Sequence, residues 1–249
     1  MNSALQVPAV ATGFQLCCED LTVCYQRRPA VHHVDLALSQ GSLVGIVGPN
    51  GAGKTTLLHG LLGWLPWTSG RVTIDGTSIR QNPRRISYLG QRRTQDVDFP
   101  MQVADVVATG RFLSRGLFRG FTNHDRQAVE RAVDAMGLTH LRERALAHLS
   151  GGQQQRTFVA RALATGADIL LLDEPLTGLD EPSAHDLLRR LREWADRGHL
   201  VVAVIHDLHA VRAWCTHTVL LRGELIASGR TDDVLNEVNR QRCFGDHQP

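Results

Sequence analysis

A glycine-rich segment near the start of the chain restricts the possible folds more than any other feature. Gly48–Thr56 reads Gly-Pro-Asn-Gly-Ala-Gly-Lys-Thr-Thr and fits the phosphate-binding P-loop pattern G-x-x-x-x-G-K-[ST]. An apolar run at 42–47 precedes it and an apolar-periodic segment at 57–62 follows it, which is typical of a strand leading into a helix. Glycines let the backbone aim its N–H groups at phosphate oxygens, and the helix adds the positive end of its dipole. The segment predicts a nucleotide site of the kind found in kinases, GTPases and motors.

The P-loop also assigns roles to individual side chains. Lys54 would reach the outer phosphates, and Thr55 would hold magnesium. Lys54 is the only lysine of the chain, and the other 26 basic residues are arginine. A compact ammonium fits between phosphates where a planar guanidinium does not. The predicted phosphate-binding residues are Gly48, Pro49, Asn50, Gly51, Ala52, Gly53, Lys54, Thr55 and Thr56.

The net charge, the hydrophobic content and the cysteines of the chain argue against several classes of protein. The net charge of +2 gives no argument for a nucleic-acid partner, and 43% hydrophobic residues are ample for a buried core. The five cysteines contain no C-x-x-C pair, so we expect reduced cytosolic thiols rather than a disulfide framework or a zinc site. The first 15 residues do not resemble a signal peptide, and the longest apolar runs are too short to span a bilayer.

Positive charge is concentrated in one stretch, which we call the basic segment. Between Arg80 and Arg119 the sequence has eight arginines and three aspartates. Such an excess fits a surface that faces lipid headgroups or a membrane partner, and it fits a solvated face equally well.

Strand and helix patterns alternate along much of the chain. Strands are predicted at 14–25, 31–38, 42–47, 71–75, 86–89, 169–172 and 200–205. From Met101 to about 164 the apolar spacing is helical, interrupted by a Gly/Arg-rich linker at 111–120, and further helices are predicted at 182–195 and 208–215. This pattern predicts an α/β fold with a parallel-sheet core. The helical block, about 95–165, would be an inserted subdomain, and the tail after Val238 is expected to be poorly ordered.

Two adjacent acids follow the apolar run at 169–172. Because neighbours on a strand point to opposite sides, Asp173 is predicted to serve magnesium and Glu174 to polarise an attacking water.

A second glycine-rich helix start lies at Ser150-Gly151-Gly152-Gln153. Its hydroxyl and N–H groups form either an ordinary N-cap or a second anion site. Since one nucleotide does not need two such helix ends from one chain, we expect two copies arranged head to tail.

Together these motifs resemble the ATP-binding subunit of an ABC transporter, across about residues 14–230. In the family's order, the motifs are Walker A at Gly48–Thr56, the Q-loop glutamine Gln91, the signature at 149–153, Walker B at 169–174, the D-loop at 177–180 and the switch histidine His206.

The resemblance implies a fold and a division of roles. It implies an ABC ATPase domain at 14–235 with an N-terminal antiparallel β subdomain, the helical subdomain at 95–165, and tails at 1–13 and 239–249. Two copies would sandwich two Mg-ATP, each between Walker A of one copy and Ser150–Gln153 of the other. Tyr25, otherwise an ordinary residue at a strand end, would stack on adenine, and Asp180 would belong to the nucleotide site. Gln91 would touch the metal and sense the membrane partner, and His206 would contact the γ-phosphate.

A narrower resemblance concerns the cargo. The segment 96–111 and Gly116–Arg119 resemble subunits that serve manganese and zinc importers, although Gln102 and Ile205 stand where threonine is usual. The resemblance implies a peripheral ATPase at the cytoplasmic face of the membrane, bound to permease subunits and fed by an external binding protein. An ATPase of an iron-siderophore or haem importer is the alternative, and a soluble ABC ATPase outside transport is the alternative from another class.

Overall fold

The fold is taken from a computed structural model that describes residues 13–25, 28–91, 101–115 and 120–245. The side chains of 25, 28, 29 and 113–115 are not part of that description. Residues 96–100 and 116–119, which contribute to the manganese and zinc resemblance, therefore lie outside the described residues, as do 26, 27 and 92–95. The N-terminal 12 residues and the last four also lie outside them.

Strands and helices alternate through the core of the chain. The strands are β1 (Gln15–Tyr25), β2 (Arg28–Ser39), β3 (Leu43–Val47), β4 (Trp67–Ile74), β5 (Thr77–Ser78), β6 (Ile86–Leu89), β7 (Ile169–Leu172), β8 (Leu200–Val204), β9 (His217–Arg222) and β10 (Glu224–Arg230). The helices are α1 (Lys54–Leu61), α2 (Val103–Arg115), α3 (Asn123–Ala135), α4 (Gly151–Ala164), α5 (Glu181–Asp196), α6 (Leu208–Trp214), α7 (Thr231–Val234) and α8 (Glu237–Phe244).

Within the described ranges the strands form one sheet in the order β5-β4-β1-β2-β10-β9-β3-β8-β7-β6. From β9 to β6 neighbouring strands are parallel, whereas β1, β2, β4 and β5 pair antiparallel. Parallel strands place their carboxyl ends at one edge, where ligands of open α/β sheets bind. The predicted parallel core and N-terminal antiparallel strands are both confirmed.

The sheet is covered on both faces, and β3 shows how the sequence achieves this. All five residues of Leu43–Val47 are buried. Leu43 and Val47 face one hydrophobic cluster, while Val44 and Ile46 face the other. Burying such a side chain stabilises the fold by about 1.5–3 kcal/mol. This continuous apolar run holds the start of the P-loop in a fixed place.

The helical block has a charged group at its centre. Arg111 and Asp125 are buried, and Arg111 Nε donates to Asp125 Oδ1 at 2.9 Å. Arg111 Nη1 also donates to the carbonyl oxygens of Ala164 and Thr165 at 2.9 and 2.8 Å, at the end of α4. The predicted linker at 111–120 is therefore wrong at its start, because these contacts keep Arg111 in helix α2.

Two further expectations are corrected by strand pairing and by packing that the sequence pattern did not reveal. β4 begins at Trp67 rather than at residue 71, because Trp67 pairs with Val23 of β1. The region after Val238 is not a disordered tail throughout, since α8 continues to Phe244 and its Cys243 is fully buried. Strands β9 and β10 were not predicted.

The basic segment is not a single exposed surface. Arg111 is buried, and Arg85 pairs with Asp75 at 3.0 Å and with Asp168 at 2.6 Å. Arg80 lies over the ring of Trp67, 4.2 Å from its centroid. At least two of the eight arginines thus neutralise carboxylates of this chain instead of facing a partner.

The buried ion pair yields a stability prediction. Asp125→Asn removes a negative charge that faces the buried Arg111 guanidinium, so we expect the free energy of unfolding to fall by about 3 kcal/mol. The control is Asp196→Asn, which removes the exposed pair with Arg192 and is expected to cost no more than about 0.5 kcal/mol. Urea unfolding followed by circular dichroism measures both. Equal losses in the two variants would contradict the prediction.

Candidate functional site

The P-loop turns between β3 and α1 in a way that depends on glycine. Gly53, the N-cap of α1, has φ of 90°, a left-handed conformation that glycine adopts without strain. A Cβ at Gly53 would also collide with the carbonyl oxygen of Ala30 in β2. Because the first turn of α1 contains no acidic residue, its N–H groups and dipole remain suited to an anion.

Lys54 lies at the base of this loop. It is 7% exposed, and its Nζ donates to the carbonyl oxygens of Gly48 and Pro49 at 2.8 and 2.9 Å. Burial lowers the pKa of Lys54 below that of a free lysine, and the nearby charges of Glu174 and Asp173 oppose that shift. The loop therefore keeps a cation against its own backbone, as a phosphate-binding loop requires.

The next side chain joins the P-loop to the end of β7. Thr55 Oγ1 donates to the carboxylate of Asp173, with Oγ1 to Oδ2 and Oδ1 distances of 2.9 and 3.1 Å. Tyr88 of β6 also donates to Asp173 Oδ2, at 3.4 Å. Asp173 itself is 6% exposed. A hydroxyl beside a carboxylate is a hard oxygen donor set of the kind that magnesium prefers, so these residues fit the predicted ion.

Glu174 is held by three donors. His206 Nε2 lies 3.0 Å from Glu174 Oε1, while Gln91 Nε2 and Thr177 Oγ1 donate to Glu174 Oε2 at 2.9 and 3.2 Å. β7 ends at Leu172 and Glu174 has φ of 50°. The expected strand alternation is therefore wrong here, because a turn after the strand separates the two carboxylates.

These contacts set the pKa of two groups. Burial acts to raise the pKa of Glu174, but the hydrogen bond and charge of His206, with help from Thr177 and Lys54, lower it below the ordinary glutamate value. Burial, followed by the charge of Asp173, raises the pKa of Tyr88 to about 12. At neutral pH, Glu174 is a carboxylate and the Tyr88 phenol is a donor.

The second predicted anion site is built on α4. Ser150 caps this helix, and Ser150 and Gln153 exchange hydrogen bonds at 3.1 and 3.3 Å as a capping box. Gly151 is exposed, and Gly152 packs so closely on Ser183 of α5 that a Cβ would crowd its Oγ. Among the described residues, no hydrogen bond joins 150–153 to Lys54, Thr55 or Asp173.

Two other predicted residues stand apart. Asp180 caps α5 by accepting from Ser183 N at 3.1 Å, and this hydrogen bonding lowers its pKa. Tyr25 is the last residue of β1, but its side chain lies outside the described part, so adenine stacking stays a prediction.

The sequence reasoning missed Tyr88 and His59. His59 Nε2 lies 3.1 Å from Tyr88 Oη, next to the Asp173 carboxylate. For Tyr88, the sequence offered one signal, a tyrosine inside a predicted strand three residues before Gln91. Nothing in the pattern pointed to His59, which comes from α1.

A family model described as "ABC transporter" matches residues 31–177, which include the P-loop and the end of β7. The chain belongs to the ABC transporter family. As an ABC ATPase domain it binds ATP and is a hydrolase. Within the described ranges, none of its helices combines the length and the apolar character needed to cross a membrane.

Curated relatives and solved structures agree with this ABC assignment. The manganese transport system ATP-binding protein MntB of Listeria innocua is 38% identical, covering 92% of this chain and 95% of the relative. The zinc transport system ATP-binding protein TroB of Treponema pallidum is 36% identical, covering 94% and 88%. A metal-chelate type ABC transporter in an inward-facing conformation has a TM-score of 0.80 at 30% identity, covering 93% and 89% of the two chains.

The lowered pKa of Glu174 makes a stability prediction. A carboxylate whose pKa is lowered by folding contributes stability that is present above its unfolded pKa, about 4.3, and that is lost as pH falls through the folded pKa. We therefore expect the stability gap between the wild type and Glu174→Gln to be constant above about pH 5 and to narrow below about pH 4.3.

Denaturant unfolding between pH 3 and pH 7 tests this. The control is Glu130→Gln, at an exposed position of α3. A gap for Glu174→Gln that widens toward low pH would contradict the assignment, as would the same pH dependence in the control.

Proposed function

We propose that this chain is the ATP-hydrolysing subunit that powers import of a metal ion, manganese or zinc, through a membrane permease. The observation that carries the proposal is the 38% identity over 92% of the chain to a manganese transport system ATP-binding protein. The zinc-system relative at 36% identity supports the same cargo class. These relatives do not favour a soluble ABC ATPase outside transport.

A second candidate function is the ATPase subunit of an iron-siderophore or haem importer. The metal-chelate type transporter, at 30% identity and a TM-score of 0.80, supports it. Since the ATPase subunit does not contact the cargo, only the complete transporter distinguishes the two.

In the proposed reaction the P-loop residues bind the phosphates. The Lys54 ammonium and the backbone N–H groups of 48–56, apart from Pro49, which has none, would bind the phosphates. Thr55 and Asp173, with Gln91, would hold magnesium. Magnesium bound with ATP supplies neutralisation of the charge on the phosphate oxygens. Phosphoryl transfer depends mainly on such positioning and charge stabilisation.

Glu174 is the proposed base. Its carboxylate accepts a proton from the attacking water, and His206 orients Glu174 and reaches toward the γ-phosphate. In the present conformation Gln91 and Thr177 both donate to Glu174 Oε2, at 2.9 and 3.2 Å. If Gln91 moved away, Glu174 Oε2 could accept a hydrogen bond from water in its place.

The Ser150–Gln153 segment completes the site of a second copy. Among the described residues it makes no hydrogen bond to the P-loop of its own chain, and this position on α4 supports a head-to-tail dimer that encloses two nucleotides. Asp180, at the start of α5, would lie near the same interface, and the Tyr25 ring would stack on adenine.

We further propose the setting of this dimer. It would bind permease subunits at the cytoplasmic face of the membrane and receive cargo indirectly through an extracytoplasmic binding protein, with no nucleic acid involved. The proposed ATPase domain covers 14–235, with the helical subdomain at 95–165, and α2, α3 and α4 lie in that range.

The sandwich arrangement predicts complementation between two inactive variants. Lys54→Ala damages the P-loop, and Ser150→Arg blocks the opposing helix end. Each homodimer then has no intact site, whereas a mixed dimer has one intact and one doubly damaged site. Mixing is expected to restore up to roughly a quarter of the wild-type ATPase rate, because half of random dimers are mixed and each has one of two sites.

Phosphate release from equimolar mixtures measures the restored activity. The control mixes Lys54→Ala with the double variant Lys54→Ala,Ser150→Arg. Every P-loop in this mixture is damaged, so no dimer has an intact site. Activity of Ser150→Arg alone at the wild-type rate would contradict the sandwich, as would a mixture no more active than the control.

The cargo is tested with the complete transporter in proteoliposomes. We expect binding protein loaded with Mn²⁺ or Zn²⁺ to stimulate ATP hydrolysis several-fold over the metal-free binding protein, and ferric siderophore or haem to have no such effect. Stimulation by a chelate alone would replace the metal-ion proposal with the second candidate. Absence of hydrolysis in Glu174→Gln transporter confirms that the rate measured belongs to this subunit.

A further inference from the structure

A hydrogen-bonded chain of side chains leads from α1 to the proposed magnesium ligand. Tyr88 Oη lies 3.1 Å from His59 Nε2 and 3.4 Å from Asp173 Oδ2. The three residues come from α1, β6 and the turn after β7, so they meet only in the folded chain. Neither His59 nor Tyr88 belongs to the motifs that carry the family resemblance.

Hydrogen-bond chemistry fixes the direction of this chain. The Asp173 carboxylate can only accept, so the phenol must donate its one proton to Asp173. The Tyr88 oxygen is then free to accept, and His59 must donate to it through Nε2–H. The order is His59 to Tyr88 to Asp173.

Ring packing keeps the phenol in place. The Tyr88 ring meets Trp64 edge to face at a centroid distance of 4.9 Å and His59 in a similar geometry at 5.4 Å. His59 and Trp64 are 5.6 Å apart. Such edge-to-face contacts favour the present position of the Tyr88 ring beside Asp173, with Trp64 itself 62% exposed.

Asp173 has a second donor, but that donor has another proposed task. Thr55 Oγ1 donates to Asp173 at 2.9 Å, and the same hydroxyl oxygen is the proposed magnesium ligand. Tyr88 has no such proposed task, so its hydroxyl can stay on Asp173 Oδ2 while Thr55 binds the ion. Partners that orient a metal ligand without touching the metal commonly raise metal affinity 10–100-fold.

We propose that Tyr88 is a positioning residue whose hydroxyl, supported by His59, holds the Asp173 carboxylate in the orientation that binds magnesium. This inference rests on the proposed assignment of Asp173 as a magnesium ligand. It predicts a defect in metal binding and none in the binding of nucleotide without metal.

The test measures the affinity of the full chain for a fluorescent ADP analogue, first in EDTA and then at increasing Mg²⁺. For Tyr88→Phe, we expect unchanged affinity in EDTA and about a tenfold higher Mg²⁺ concentration for half-maximal tightening of nucleotide binding. His59→Phe, which keeps a ring but removes the donor, is expected to shift the Mg²⁺ response in the same direction by a smaller factor.

Two controls separate the possible failures. Trp67→Phe removes another aromatic donor, the one from Trp67 Nε1 to the Gly60 carbonyl at 2.8 Å, and is expected to leave the Mg²⁺ response unchanged. Asp173→Asn is expected to abolish the tightening by Mg²⁺. If Asp173→Asn has no effect, the magnesium site and the proposed mechanism are both wrong.

A normal Mg²⁺ response of Tyr88→Phe beside a defective Asp173→Asn overturns the Tyr88 proposal alone. Equal weakening in EDTA and in Mg²⁺ also overturns it, since that pattern indicates a general structural role. Thermal unfolding of each variant verifies that the measurements are made on folded protein.

Discussion

The hydrogen bond between Thr55 and Asp173 joins residues that are 118 positions apart. The order of the parallel strands brings these two residues together, and the functional site depends on that order. Thr55 follows β3 and Asp173 follows β7, with β8 lying between these two strands in the sheet. All three strands are parallel, so their carboxyl ends meet at one edge. A helix that starts after one such strand and an acidic turn that follows another therefore lie close together, even though they are far apart in the sequence. The buried, apolar character of β3, β7 and β8 is therefore a requirement of the site as well as of the core.

Convergence at this edge brings together the Lys54 cation, the Thr55–Asp173 oxygen pair and the Glu174 carboxylate. The P-loop would contact the phosphates of the proposed nucleotide from one side only. Gly53 and Lys54 form that side. Ser150 presents another helix start on α4, where its hydroxyl is committed to the capping box with Gln153. A donor group that lies on a separate helical block is useful to the phosphates only if another copy brings it over them. The proposed head-to-tail arrangement would bring the helix start at Ser150 of one copy over the P-loop of the other.

Local patterns identified more of the side chains that meet in the candidate site than of the strands and contacts around them. The P-loop and the acids after β7 are encoded in short contiguous segments, so the residue types and their spacing are enough to indicate their chemistry. Strand β9 was missed although it lies beside β3, because its pairing is long-range and its sequence follows a short helix. The helical state of Arg111 was missed because it depends on Asp125 and on the end of α4. Tyr88 and His59 were missed for the same reason, since their importance arises only from tertiary proximity to Asp173.

The unusual basic composition also acquires a physical explanation. Arg85 bridges Asp75 and Asp168, and Arg111 serves one carboxylate and two helix-end carbonyls. Asp186 likewise accepts from several arginines of α4 and α5. Two nitrogens of one planar group donate in each of Arg85, Arg111, Arg189 and Arg190, a geometry that lysine does not offer. The P-loop makes a different demand, because Lys54 Nζ donates to two carbonyls of a tight loop and is proposed to present a compact charge to phosphate. The single lysine therefore stands where a compact ammonium suits the loop and the proposed phosphate, so replacing Lys54 by Arg is not expected to be a conservative change in this chain.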